Sequence, residues 1–219
     1  MAAMDEAGVD VQVLPLTTPG TQNLDPGPAV ALQCETNELI ADLVRAHPDR
    51  FHGLATLATP DPNRAADELA RAVTTLGLDG AMVFGRTRER PLDHQDSWPI
   101  FEAAEARRAP LYLHPQSPPP AVRDSYYSGL GPALDAAFAT HGIGWPYETG
   151  VQLMRLILVG VFDRFPHLQV ITGHWGELVL FYLERIDTLA DPPASHTSYG
   201  VNRPPQTIAR RNPARISQI

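Results

Sequence analysis

Several features that define common protein classes are missing from this sequence of 219 residues. Cys34 is its only cysteine, which excludes an intrachain disulfide and a thiolate cluster around zinc. No apolar run approaches the roughly 20 residues that a membrane helix needs, and the first residues lack the basic and apolar regions of a secretory signal. We therefore expect a cytoplasmic protein with no membrane partner.

Two further absences narrow the function. The formal net charge is -8, so there is no basic excess to neutralise phosphates, and we expect no nucleic-acid partner. The sequence also lacks a glycine-rich loop of the dinucleotide-binding or P-loop type, which removes the usual reason for a doubly wound nucleotide fold. The 22 prolines are too many for a helical bundle, and they suit many loops between short elements.

What the sequence does contain is an alternation of short apolar runs and segments with helical apolar spacing. The apolar runs predict five strands, at residues 9–16, 51–57, 80–85, 110–114 and 168–173. The helical spacing predicts helices at residues 29–46, 62–76, 98–108, 146–165 and 178–189. Strands that alternate with helices indicate an α/β fold with a parallel sheet, and we favour a (β/α)8 barrel of the TIM type.

Three polar or proline-rich stretches interrupt this alternation. Residues 86–95 predict a loop over a site, and residues 117–144 predict a long insertion, which inside a compact domain is either functional or disordered. Residues 191–219 predict an irregular tail. The whole chain, residues 1–219, is predicted to be a single domain, an incomplete barrel with five visible strands where eight are needed.

The chemical signal lies in two histidines that each end an apolar run. His114 follows the fourth predicted strand and His174 follows the fifth, and catalytic side chains collect at the carboxyl ends of barrel strands. Gly173 and Gly176 beside His174 allow a ligand to approach closely. The alternative for His114 is a core histidine that bonds a backbone carbonyl. Glu177 is either a partner that orients His174 or an acid favoured by the helix dipole.

Other candidates are weaker. Glu148 is predicted to be a surface acid favoured by the helix dipole, with a pocket-facing position as the alternative. Arg86, Arg88 and His94 would meet a substrate carboxylate from their loop, although solvated loop charge is the default interpretation. Two adjacent tyrosines, Tyr126 and Tyr127, are weaker still. The remaining histidines show no ligand spacing and are expected to have no chemical role: His47, His52, His141, His167 and His196.

Two motifs carry a resemblance to a known family. They are Leu-Tyr-Leu-His-Pro at 111–115, preceded by Trp-Pro-Ile-Phe-Glu-Ala-Ala-Glu at 98–105, and Gly-His-Trp-Gly-Glu at 173–177, preceded by Phe-Pro-His-Leu at 165–168. These motifs resemble those of the amidohydrolase-related (amidohydrolase 2) metal-dependent decarboxylases. That group includes enzymes similar to γ-resorcylate, 2,3-dihydroxybenzoate and aminocarboxymuconate semialdehyde decarboxylases. The resemblance covers residues 5–211 and implies a distorted TIM barrel.

The resemblance also implies roles for individual residues. His114 matches the family's metal-binding histidine at the end of the fifth barrel strand. His174 matches the histidine of the sixth strand, which lies beside the metal and acts in substrate binding and proton handling, and Glu177 matches the acid that orients it. The implied cofactor is a divalent metal, with zinc first and manganese or magnesium as alternatives. The family's ligands on its first and last strands have no match, so we expect those strands to be absent from this chain.

Three functional hypotheses follow. The family resemblance implies non-oxidative decarboxylation of a small aromatic or enol carboxylic acid by a carboxy-lyase. A hydrolase that uses the metal to activate water against a lactone or an amide is the first alternative. The second alternative is a non-catalytic, truncated remnant or assembly subunit. An open barrel exposes strand edges, and exposed edges pair with other chains, so we also expect a homo-oligomer.

Overall fold

The computed structural model describes residues 1–187 and 216–218. Its strands are β1 Gln12–Leu14, β2 Phe51–Thr56, β3 Gly80–Phe84, β4 Arg86–Thr87, β5 Arg90–Pro91, β6 Leu111–His114, β7 Val170–Thr172 and β8 Ile216–Gln218. Six of them form one sheet in the order β1, β2, β3, β6, β7, β8, and every neighbouring pair in it is parallel. The short strands β4 and β5 form a separate antiparallel pair. The predicted α/β class with a parallel sheet is therefore confirmed.

Helices connect the strands of the large sheet. They are α1 Ala2–Glu6, α2 Pro26–Ala46, α3 Pro62–Arg71, α4 Trp98–Arg107, α5 Pro120–Tyr126, α6 Pro132–Ala137, α7 Gly144–Leu158, α8 Val161–Arg164, α9 His174–Glu177 and α10 Leu183–Asp187. A π-helical turn, Ala72–Leu76, extends α3, and a second one, Phe138–Gly142, joins α6 to α7. Turns of 3-10 helix lie at Gln95–Ser97 and Val179–Tyr182. In the described parts of the chain, no helix has the length and apolar character needed to cross a membrane.

The two faces of the sheet have different surroundings. One set of alternating strand residues, which includes Val83, Leu111 and Leu113, belongs to the main apolar core with helix residues such as Phe101. The opposite set forms a smaller cluster of Leu54, Met82 and Phe84 with Tyr112 against it. This second face lines an open cavity of about 490 Å³. Alternation along each strand thus separates a helix-covered face from a face that is available to a ligand.

Helix α2 is anchored to the end of β2 by a buried amide. Asn37 is fully buried, its Nδ2 donates to the Thr56 carbonyl oxygen over 3.0 Å, and its Oδ1 accepts from the Thr56 N–H over 2.7 Å. The same Nδ2 also donates to Glu68 Oε1 over 2.8 Å. One side chain therefore bonds both backbone groups of Thr56, the last residue of β2.

All five predicted strands are present, but four predictions about other segments are corrected. The single helix predicted at 146–165 is two helices, because Gly160 has a φ of 82° and this left-handed conformation ends α7. The insertion at 117–144 contains α5, α6 and a π-helical turn. The helix predicted from 178 begins as a 3-10 turn, with α10 after it. Residues 216–218 of the predicted irregular tail form β8 beside β7; residues 188–215 and 219, with the remainder of the predicted last helix and tail, lie outside the described residues.

Candidate functional site

The two strand-end histidines lie at the same edge of the sheet. His114 is the last residue of β6 and is in register with Phe84, the last residue of β3. His174 comes two residues after Thr172, which pairs with Leu113 of β6. Because these strands are parallel, both side chains start from the carboxyl edge. Besides burial, the charge of His174 also lowers the pKa of His114, which shows that the two groups interact electrostatically.

The two ring nitrogens of His114 have different roles. Its Nδ1 lies 2.8 Å from the Pro115 carbonyl oxygen, so in the neutral ring the Nδ1–H donates there and Nε2 keeps its lone pair. The ring packs edge-on against Phe84, with 5.5 Å between centroids. Burial lowers the pKa of His114, the Pro115 hydrogen bond opposes this, and the charge of His174 lowers it further. The neutral ring is therefore favoured, in the tautomer that a metal ligand needs.

His174 and Glu177 form a hydrogen-bonded pair. His174 Nδ1 lies 2.8 Å from Glu177 Oε1, and the side chain of Glu177 is fully buried while that of His174 is 57% exposed. Burial raises the pKa of Glu177, and the hydrogen bond and charge of His174 oppose the rise. Both residues have positive φ, 45° and 52°, in a region that residues other than glycine seldom adopt and that is enriched at functional sites. Glu177 is thus a partner of His174.

Tyr112 is a site residue that the sequence does not single out. It lies two residues before His114 on β6, so both side chains project from one face, and their ring centroids are 6.2 Å apart. Its hydroxyl oxygen lies 2.5 Å from the position that a Cβ would take at Gly173. Burial raises the pKa of Tyr112, and the charge of Glu177 adds to the rise. The alternation of β6 was the available signal, but an aromatic residue in an apolar run is usually core.

The contact between Gly173 and Tyr112 gives a stability prediction. Replacing Gly173 with alanine should lower the free energy of unfolding by about 1–3 kcal/mol, because the added methyl group collides with the phenol oxygen. In a Tyr112→Phe background the nearest ring carbon, Cζ, stays 3.5 Å away, so the same substitution should cost under about 1 kcal/mol. Urea unfolding of the four variants measures this coupling. Equal losses in both backgrounds would contradict the geometry.

Arg86 and Glu148 correct two sequence predictions. Arg86 was expected to be a solvated loop charge and Glu148 a surface acid, but their side chains are only 11% and 12% exposed. Arg86 Nη1 donates to Glu148 Oε1 over 2.8 Å, and Arg86 Nη2 donates to the Ser117 carbonyl oxygen. Burial raises the pKa of Glu148, whereas the charge of Arg86 and a hydrogen bond from Gln152 lower it. Arg86 and Glu148 therefore form a buried ion pair.

The other weak candidates lie away from this arrangement. Arg88 forms an exposed ion pair with Asp25, and His94 lies near Asp96 on the surface, as solvated loop residues do. Tyr126 is 74% exposed, and Tyr127 is buried against Phe138, with ring centroids 5.1 Å apart. His52, the second residue of β2, lies 3.1 Å from Asp79 at the amino end of the sheet, and both residues line that end of the cavity.

The donor chemistry of these residues fits a divalent metal in part. His114 offers a neutral imidazole nitrogen beside a second imidazole, and such nitrogens are common ligands for zinc and manganese. A catalytic metal needs about three protein ligands. Within residues 1–187 and 216–218, no group of three His, Cys, Asp or Glu side chains lies close enough together to hold an ion. The described residues therefore supply part of a ligand set.

Comparison with known proteins agrees with the resemblance in the motifs. The amidohydrolase family profile matches residues 1–191. The chain belongs to the amidohydrolase family. This amidohydrolase chain is 36% identical over 196 residues to the γ-resorcylate decarboxylase of Polaromonas sp. strain JS666, and the match covers 84% of this chain and 57% of that protein.

Two solved structures show the same fold. The 5-carboxyvanillate decarboxylase of Sphingomonas paucimobilis matches with a TM-score of 0.80 and 38% sequence identity. This match covers 87% of the present chain and 55% of the decarboxylase chain. The dihydroxybenzoic acid decarboxylase of Polaromonas sp. JS666 matches with a TM-score of 0.82 and 33% sequence identity, over 93% of the present chain and 62% of the decarboxylase chain. That enzyme was solved with bound manganese and the inhibitor 2-nitroresorcinol. The amidohydrolase chain thus spans between 55% and 62% of the length of these three relatives.

Proposed function

We propose that this chain provides the strand-end part of the active site of a metal-dependent, non-oxidative decarboxylase of small aromatic carboxylic acids. The observation that carries the proposal is the placement of His114 and the His174–Glu177 pair at one edge of the sheet. This edge borders a cavity lined mainly by apolar residues, to which Tyr112 and His114 contribute near this edge and His52 and Asp79 at the amino end of the sheet. An aromatic ring fits such a lining, and the two imidazoles provide the polar contacts. The decarboxylases to which the chain is similar support the reaction class.

In this proposal His114 would be a ligand of the divalent metal, and His174 would lie beside the metal, because its Nδ1 is bonded to Glu177 and its Nε2 is kept for the proton. Zinc, manganese and magnesium are the candidates, and the manganese bound in the Polaromonas relative favours manganese. When bound, the metal would draw electron density from the carboxylate and the adjacent hydroxyl of the acid. The Nδ1–H bond from His114 to Pro115 O orients the ring, so that Nε2 remains the liganding nitrogen.

His174 and Glu177 would manage the proton. Loss of carbon dioxide leaves an electron pair on the ring carbon, and that carbon must gain one proton to complete the product. Glu177 accepts the Nδ1–H of His174, so the proton that is exchanged is the one at Nε2. The buried carboxylate stabilises the positively charged ring while it holds both protons. Apolar side chains such as Phe84 and Met82 on the same face exclude water that would compete for the reacting carbon.

The direct test is product analysis. The chain is incubated with γ-resorcylate or 5-carboxyvanillate in the presence of manganese, zinc or magnesium, and carbon dioxide and the decarboxylated phenol are quantified. The proposal predicts one equivalent of each per acid consumed. Hydrolysis of a lactone or an amide without release of carbon dioxide would favour a hydrolase instead. If none of the three metals binds tightly and neither acid is turned over, a non-catalytic assembly subunit is favoured instead.

We also propose that the chain forms a homo-oligomer. Strand β1 is at one end of the described sheet, and three valines there, Val9, Val11 and Val13, are 38–47% exposed. Edge strands with exposed apolar residues pair readily with other chains. Size-exclusion chromatography with light scattering should therefore give a mass of at least twice 23.9 kDa. A monodisperse monomer that melts cooperatively would contradict this prediction.

A further inference from the structure

We infer that Arg86 is a positioning residue for His114, which it fixes by holding the chain segment that follows the histidine. The inference rests on the proposed function, in which His114 is a metal ligand. Arg86 begins β4, directly after the end of β3, and β3 pairs with the strand that carries His114. It therefore lies at the carboxyl edge without being a ligand itself.

Two hydrogen bonds join Arg86 to the segment after His114. The Arg86 N–H donates to Gln116 Oε1 over 3.1 Å, and Arg86 Nη2 donates to the Ser117 carbonyl oxygen. Pro115 lies between His114 and these two anchored residues, and its carbonyl oxygen is the group that bonds His114 Nδ1. The position of that carbonyl decides which ring nitrogen carries the hydrogen. Arg86 thus acts on His114 through the Pro115 carbonyl.

Helix α7 holds Arg86 in turn. Glu148 accepts from Arg86 Nη1 over 2.8 Å and from Gln152 Nε2 over 3.4 Å. Gly85, just before Arg86, lies so close to Gln152 that an added Cβ would be 2.3 Å from its Cγ. Trp145 Nε1 donates to Ser117 Oγ over 3.2 Å. The backbone of residue 86 and the segment that it binds are therefore both fixed against one helix.

The guanidinium is suited to this position in a way that an ammonium is not. Arg86 donates from two nitrogens in a planar fork, one to a carboxylate and one to a carbonyl oxygen. Lysine keeps the positive charge but offers a single ammonium group without that fixed geometry. Arg86→Lys therefore removes the positioning of Ser117 while it still neutralises Glu148. This separates a positioning role from simple charge compensation.

The experiment measures the tautomer of His114 by ¹⁵N NMR of the imidazole rings, at one pH where the ring is neutral. We expect the Nδ1–H form to dominate in the wild type, and the Nε2–H form to increase several-fold in Arg86→Lys and in Glu148→Gln. The matched control is Arg88→Lys, since Arg88 forms an exposed ion pair on the same hairpin; it should leave the tautomer unchanged. Manganese affinity should fall by about 10–100-fold in Arg86→Lys, as for other groups that orient metal ligands.

The outcomes separate the possible failures. An unchanged tautomer in Arg86→Lys and Glu148→Gln, with only a lower melting temperature, would overturn the inference and leave Arg86 a structural residue. If Arg86→Lys does not fold, the nearly isosteric Glu148→Gln decides between the same two results. If the variants change the tautomer but the wild-type chain binds no manganese, the metal-ligand role of His114 and with it the proposed function are refuted, while the positioning by Arg86 is supported.

Discussion

Replacing His174 with asparagine is expected to lower kcat for the proposed decarboxylation by about 10²–10⁴-fold, the range that one proton-transferring group contributes. The asparagine side chain still reaches Glu177 with an amide N–H, but it has no nitrogen that exchanges a proton near neutral pH. Because the His174 side chain is 57% exposed, the substitution removes few packing contacts, and the melting temperature should stay close to that of the wild type. Steady-state kinetics with γ-resorcylate, together with thermal unfolding, measures both effects.

His94 supplies a matched control for this substitution. It also lies beside a carboxylate, 3.4 Å from Asp96, and its side chain is 45% exposed. It caps the 3-10 turn Gln95–Ser97, where asparagine can serve as the cap as well. His94→Asn should therefore leave kcat and KM within about twofold of the wild type. Similar losses in both variants, or full activity in His174→Asn, would contradict the role given to His174.

Replacing Asn37 with leucine is expected to lower the free energy of unfolding by about 3–5 kcal/mol. Leucine has nearly the same shape, but it leaves the Thr56 N–H and carbonyl without the partners that Asn37 provides. Each buried polar group left unsatisfied costs about 1–3 kcal/mol. Glu68, which is also buried, loses one of its donors as well. Equilibrium urea unfolding followed by circular dichroism measures the loss.

The control for this substitution lies on the other side of the same helix. Leu39 is 61% exposed, and Leu39→Asn exchanges the same two residue types in the opposite sense at the surface. It should change the free energy of unfolding by no more than about 0.5 kcal/mol. A loss below about 1 kcal/mol in Asn37→Leu would show that water, rather than Asn37, satisfies the end of β2.

The sequence predicts the features of the site that depend on local pattern. The first predicted strand alternates β-branched with polar residues and the others are mainly apolar runs, and the positions of His114 and His174 at the ends of two of these runs follow directly. Parallel strands bring their carboxyl ends to one edge, so the nearness of the two rings also follows from the fold class. The pairing of His174 with Glu177 requires only three residues of separation.

Features that depend on tertiary packing are not predictable in this way. Arg86 and Glu148 are 62 residues apart in the chain, and their burial depends on how α7 packs beside the β4–β5 hairpin. Strand β8 has only three residues, Ile216–Gln218, and it is defined by its pairing with β7 rather than by an apolar run. The break between α7 and α8 depends on the left-handed conformation of Gly160, a signal that the continuous apolar spacing concealed.

The most direct test of the account is a manganese titration followed by NMR of the histidine rings. Bound Mn²⁺ broadens the signals of nuclei close to it, so the affected rings identify the site. We predict that the signals of His114 and His174 broaden together at substoichiometric manganese, while the signal of His52 stays sharp, and that His114→Ala abolishes the effect. Broadening that spares His114 and His174, or that affects His52 equally, would contradict a metal site at the carboxyl edge of this sheet.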